Sequence, residues 1–65
     1  MRNFWLEKYR IGRRVQYIGP VAEFNGRIGR IIKINGQWVE IEFIFIGFIP
    51  QTKTLRTEKR FIKIL

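Results

Sequence analysis

From Arg13 to Pro50 the chain alternates apolar and polar residues in short runs, and glycine, proline or asparagine closes each run. In the run Arg13 to Ile18, Val15 and Tyr17 share one face, which is the period of a half-buried strand. Gly19-Pro20 ends it, because proline has no N–H for a ladder and glycine accepts positive φ. Asn25-Gly26 is a second turn signal. Arg27 to Ile34 predicts a second strand, with Ile28, Ile31, Ile32 and Ile34 as its apolar positions. The step from 28 to 31 breaks the period of two, and Gly29 sits inside the break. A bulge or sharp coil is expected there. Asn35-Gly36 predicts a two-residue hairpin of type I′. The partner strand, Gln37 to Ile46, places Val39, Ile41, Phe43 and Phe45 on one face. Trp38, Glu40, Glu42, Ile44 and Ile46 fall on the other. Gly47 and Pro50 stop it. Thr52 to Arg56 is β-prone, and Phe61 to Leu65 adds a last strand.

Five short strands, tight turns and no long helical pattern predict a small all-β barrel. Such a barrel bends each strand hard to close on itself, and glycines at bends are the means. Residues 1–10 lack strand alternation. Phe4, Trp5 and Tyr9 sit at helical spacing there, so a short helical or irregular arm is expected, its aromatics covering one open end of the domain. The expected organisation is therefore an arm over 1–10 and one barrel domain over 11–65, with no internal repeat or linker.

Composition narrows the chemistry. A core in 65 residues supplies about 3–5 kcal/mol at most. The sequence has no cysteine and no histidine, which removes disulfide scaffolds and zinc fingers. Serine and aspartate are missing too, so a Ser or Cys nucleophile with a His base cannot be assembled. Glu40 and Glu42 lie among cations on a strand, with no sign of a pocket. A non-enzyme without a cofactor is expected. The most apolar stretch, Phe43 to Pro50, is far shorter than the ~20 residues of a membrane helix, and the start does not read as a signal peptide. The reading is a soluble cytoplasmic protein with no membrane partner.

Charge points to partners. Thirteen Lys and Arg face five Glu, for a net charge of +8. Such a chain seeks RNA, DNA or an acidic protein face. The nucleic-acid candidates are Arg13, Arg14, Arg27, Arg30, Lys33, Lys53 and Arg56, with Trp38 as the residue to stack on an unpaired base. Tyr17 shares a face with Val15 and reads as core. Glu40 and Glu42 would repel phosphate, so either the cationic surface lies elsewhere or they pair with neighbouring cations as a solvated face. Ile44 and Ile46 lie opposite the inferred core, and Phe48 follows at the turn. Contiguous exposed apolar side chains mark a partner surface, unless the arm or a second copy covers them; a homodimer through this strand is one form of that reading.

Val15-Gln16-Tyr17-Ile18-Gly19-Pro20, followed by Glu23-Phe24-Asn25-Gly26-Arg27-Ile28, resembles the KOW motif. The chain over about 11–65 is similar to the carboxy-terminal KOW domain of NusG-type transcription factors. Phe45-Ile46-Gly47 with Pro50, and the ending Phe61-Ile62-Lys63-Ile64, are similar to later segments of that domain. The resemblance implies a small SH3-like five-stranded barrel. It also implies a docking module that holds a small-subunit ribosomal protein or the termination factor Rho through an apolar surface of two loops. In ribosomal KOW proteins the same fold binds RNA. The apolar loop positions correspond to Val21, Phe24, Ile46 and Phe48, with Pro20 and Ile44 beside them. Val21 stands where the NusG pattern usually has Phe, and Phe48 where it usually has Arg. The expectation is a non-catalytic binding module of the transcription or translation machinery, docking a ribosomal or transcription-factor protein with a basic flank near RNA. Direct RNA or DNA binding and a homo-oligomeric structural protein are the alternatives.

Overall fold

A computed structural model of the chain describes residues 8–65. The helical reading of the arm, with Phe4 and Trp5, lies outside the described residues. Tyr9 lies within them and packs, half-buried, against the core.

Five strands form: β1 (Arg14–Tyr17), β2 (Ile28–Asn35), β3 (Trp38–Phe45), β4 (Gln51–Glu58) and β5 (Ile62–Ile64). They make one antiparallel sheet in the order β4-β3-β2-β1-β5. The first four strands run as a meander. A 3-10 turn over Lys59–Phe61 then carries the chain from one edge of the sheet to the other, where β5 pairs with β1 as Val15↔Ile64 and Tyr17↔Ile62. This is a small all-β, SH3-like five-stranded barrel. Alternation fills it. Val15, Tyr17, Ile31, Val39, Ile41 and Phe43 are fully buried, and Phe24 and Ile62 complete the core. β4 runs three residues longer than its apolar content predicts, because its backbone pairs with β3 along the whole of its length.

Two local expectations are corrected. The bulge in β2 is at Ile32, not Gly29. Arg30 pairs with Glu42 and Ile31 with Ile41, and the register then shifts so that Lys33 pairs with Glu40. Gly29 therefore keeps the inward phase of Ile31, and Ile28 faces solvent. Gly29 is required for a different reason: a Cβ there would lie 2.6 Å from the Glu42 carbonyl oxygen and 2.9 Å from Phe43 Cδ1. The absent side chain is what lets β2 cross so close to β3. The hairpin is also displaced by one residue. Asn35 pairs with Trp38, so Gly36 and Gln37 are the loop. Only Gly36 has positive φ, +60°. That is the sign pattern of a type II′ turn, with glycine first, and not of type I′.

Candidate docking surface and its basic surround

The connection between β1 and β2 coils into one helical turn. The N–H groups of Phe24 and Asn25 donate to the Val21 carbonyl at 3.0 and 3.1 Å, and the Asn25 side-chain amide donates to the Gly19 carbonyl at 2.7 Å. Beneath it lies the Tyr17 ring, whose hydroxyl oxygen accepts from the Val21 N–H at 3.2 Å. The turn leaves Pro20 and Val21 on the outside and drives Phe24 inward. Phe24 is only 6% exposed. Its ring lies 4.9 Å from that of Phe43 and meets Phe45 edge-on at 5.5 Å. The expectation that Phe24 belongs to an exposed apolar loop is thus corrected: it is a core residue that anchors the loop.

The connection between β3 and β4, residues 46–50, does the opposite. Gly47 and Pro50 bend it away from the ladder, and its large side chains find no cover. Ile46 is 81% exposed, Ile49 70%, and Phe48 fully exposed at 103%. Ile44, on the outer face of β3, is exposed too. Ile44, Ile46 and Phe48 therefore stand together on one hairpin, as the sequence pattern predicts. Ile49 was missed, although it stands in the same all-apolar run between Gly47 and Pro50.

Phe45 ties the two loops together. Its ring meets that of Phe24 edge-on and has two cations over it, the Arg27 guanidinium at 4.0 Å and the Lys53 ammonium at 4.7 Å from the ring centre. Lys53 forms an ion pair with Glu23, and Arg27 Nε donates to the Glu23 carbonyl at 3.0 Å. Cation–π contacts of this kind contribute roughly 0.5–1 kcal/mol each at exposed sites. Their larger effect is positional: they hold two positive charges at the base of the apolar tip.

The remaining cationic candidates divide. On the outer face of the sheet, Arg30 is opposite Glu42, while Lys33 and Arg56 flank Glu40. Lys33 Nζ lies 3.7 Å from the Glu40 carboxylate. The glutamates thus share a face with these cations instead of standing apart from them, and the solvated-face reading holds. Such pairs are worth about 0–1 kcal/mol. Trp38 is part-exposed, but Arg56 sits over its ring at 4.9 Å, so one face for base stacking is taken. Arg13 is half-buried, its Nη2 donating to the Leu65 main-chain oxygen at 2.6 Å. Arg14 is exposed on β1.

A homodimer formed by adding a strand to β3 is ruled out by the topology, because β2 and β4 occupy both of its edges. Self-association through this strand would have to use its outer face. Among the described residues, no helix is long and apolar enough to cross a membrane. In comparisons with known proteins, the chain matches no family model and no curated protein.

Proposed function

We propose that this chain is a KOW-type docking module without catalytic chemistry, working in the cytoplasm on the transcription or translation machinery. One observation carries the reading. The 46–50 tip presents Ile46, Phe48 and Ile49 to solvent from the β3–β4 hairpin, with Arg27 and Lys53 at its base. Full burial of a phenylalanine is worth about 1.5–3 kcal/mol. A small domain gains nothing by leaving such a side chain in water, and interfaces are dominated by a few aromatic anchors of this kind. The basic collar supplies long-range steering toward acidic or RNA-rich assemblies. With the KOW resemblance, the partner class is a ribosomal protein or a transcription termination or elongation factor.

The test uses purified bacterial small ribosomal subunits and purified Rho as probes. Wild-type protein should bind one of them saturably. Phe48→Ala and Ile46→Glu should each lose that binding while their thermal unfolding stays close to wild type, since neither side chain is buried. Binding that is indifferent to both substitutions would remove the tip from the interface.

A further inference from the structure

β4 and β5 are the two edges of the sheet. β5 has three residues, but β4 runs for eight, Gln51–Glu58, with no proline, glycine or register shift. Its hydrogen bonding is one-sided. The Lys59 N–H donates to the Gln37 carbonyl at 2.9 Å, and this pair continues the β3–β4 register. Bonded and non-bonded pairs alternate along an antiparallel ladder. Gln51, Lys53, Leu55 and Thr57 therefore turn their backbone groups toward β3, and Thr52, Thr54, Arg56 and Glu58 turn theirs outward. Among the described residues, nothing hydrogen-bonds to those outward N–H and C=O groups. The two cations of the strand do not guard this edge. Lys53 is held by the Phe45 ring and by Glu23 on the β1–β2 loop, and Arg56 lies over the Trp38 ring. Both rings belong to β3, so each cation is drawn back across the ladder.

A long, regular, unguarded edge is a template for another strand. We propose that β4 pairs antiparallel with β4 of a second copy, about a two-fold axis at Leu55, to form a weak homodimer. This surface is distinct from the outer face of β3. The strand is complementary to itself in that register. Leu55 meets its own counterpart, Lys53 faces Thr57 of the second copy, Thr54 faces Arg56, and Thr52 faces Glu58. All four outward residues then gain hydrogen-bonding partners, and no like charges stand opposite each other. Moving the axis to Arg56 sets Arg56 against itself and Lys53 against Lys59, and such pairs repel. Moving it to Thr54 sets Glu58 against Pro50, which has no N–H to donate. A two-fold contact of this kind uses the same patch on both copies. Two chains of net charge +8 repel at long range, so the dimer tightens as salt screens them. That is the opposite of the salt dependence of polyanion binding. A strand-to-strand contact lies at the small end of interfaces, below about 1,200 Å², so the affinity is micromolar or weaker. Residues 46–50 precede the paired stretch and stay open, so this contact stands independently of the docking reading.

The experiment is sedimentation equilibrium of the full chain from about 5 µM to about 1 mM, at about 0.15 and about 0.5 M salt. The mean mass should rise from one chain toward two, and further at the higher salt. Amide hydrogen exchange followed by NMR locates the contact. Thr52, Thr54, Arg56 and Glu58 should exchange fast in dilute solution and become protected as the dimer forms, whereas Lys53, Leu55 and Thr57 are protected throughout. Thr54→Pro removes an outward N–H that β3 does not use. It should stay monomeric at every concentration and keep its strand signal in circular dichroism. Position 52 tests the register. Thr52→Lys faces Glu58 of the second copy and should tighten the dimer about threefold or more, although it raises the net charge. Thr52→Glu should weaken it by about as much, although it lowers the net charge. The proposal is overturned if the wild type stays monomeric throughout, or if Thr54→Pro folds and dimerises like wild type. It is also overturned if the Thr52 variants do not differ in that order. Protection of the outward amides in the dilute monomer would mean that the chain's own residues already cover the edge, and would overturn it too. Dimerisation abolished by Phe48→Ala would assign the contact to the apolar tip, with the same consequence.

Discussion

Gly29→Ala adds a single methyl group at a point where the barrel has no space. The φ of Gly29 is not positive, so alanine meets no backbone penalty there. Its Cβ would lie 2.6 Å from the Glu42 carbonyl oxygen, 2.7 Å from Ile41 Cγ2 and 2.9 Å from Phe43 Cδ1. The Ile41 and Phe43 side chains are fully buried and cannot swing aside. Glu42 lies in the β2–β3 ladder opposite Arg30, so its carbonyl moves only if the ladder moves. Overpacking of this kind costs about 1–3 kcal/mol. The clash with a fixed backbone carbonyl puts this cost in the upper half of that range, about 2–3 kcal/mol, and the stiffer unfolded chain returns about 0.4–1 kcal/mol, which leaves a net loss of roughly 1–2.6 kcal/mol. For a domain of this size, each kcal/mol moves the unfolding midpoint by about 4–8 °C. Far-UV circular dichroism on heating should therefore show the variant melting about 5–15 °C below wild type. A midpoint equal to or above wild type would refute the packing argument, and with it the explanation of why β2 needs glycine at this position.

Gly36→Ala tests the complementary case, where space is open but φ is positive; it should cost about 1–2 kcal/mol by urea unfolding, with the strand content kept. Phe24→Ala removes a ring that packs on Phe43 and Phe45; a loss of about 3–5 kcal/mol would consume most of the domain's stability, so the variant should appear largely unfolded in one-dimensional proton NMR spectra. A folded, stable Phe24→Ala protein would return this residue to the surface.

How much of this was legible in the sequence depends on which physical effect decided each position. The inward faces of β1 and β3 follow from alternation alone, and Val15, Tyr17, Val39, Ile41 and Phe43 are buried as the pattern predicts. β2 was harder, because Ile28, Ile31, Ile32 and Ile34 contain two phases. The phase that wins is set by Gly29 against Glu42, a cross-strand contact that no single run of residues encodes. The Asn35-Gly36 hairpin was found, but its type was not. Pairing of Asn35 with Trp38 places glycine first in the loop. The KOW resemblance places Phe24 in an exposed loop, whereas the helical turn from Val21, held by hydrogen bonds to Gly19 and Tyr17, tucks it inward. The exposed hairpin residues Ile44, Ile46 and Phe48 could be read directly, since no polar residue interrupts them between Glu42 and Gln51. Arg14 and Arg30 can be named as cations from the sequence, but only the β1–β2 register places them opposite each other.

The docking role of the 46–50 tip is tested most directly by comparing wild type with Phe48→Ala in titrations against purified small ribosomal subunits and Rho. Phe48 touches nothing that stabilises the fold, so the two proteins should melt within about 0.5 kcal/mol of each other. Affinity for whichever probe the wild type binds should fall about 10- to 150-fold, the equivalent of burying one phenylalanine. Equal affinity for the two proteins, or no binding of either probe by wild type, would contradict the proposal that this hairpin is a docking site for that machinery.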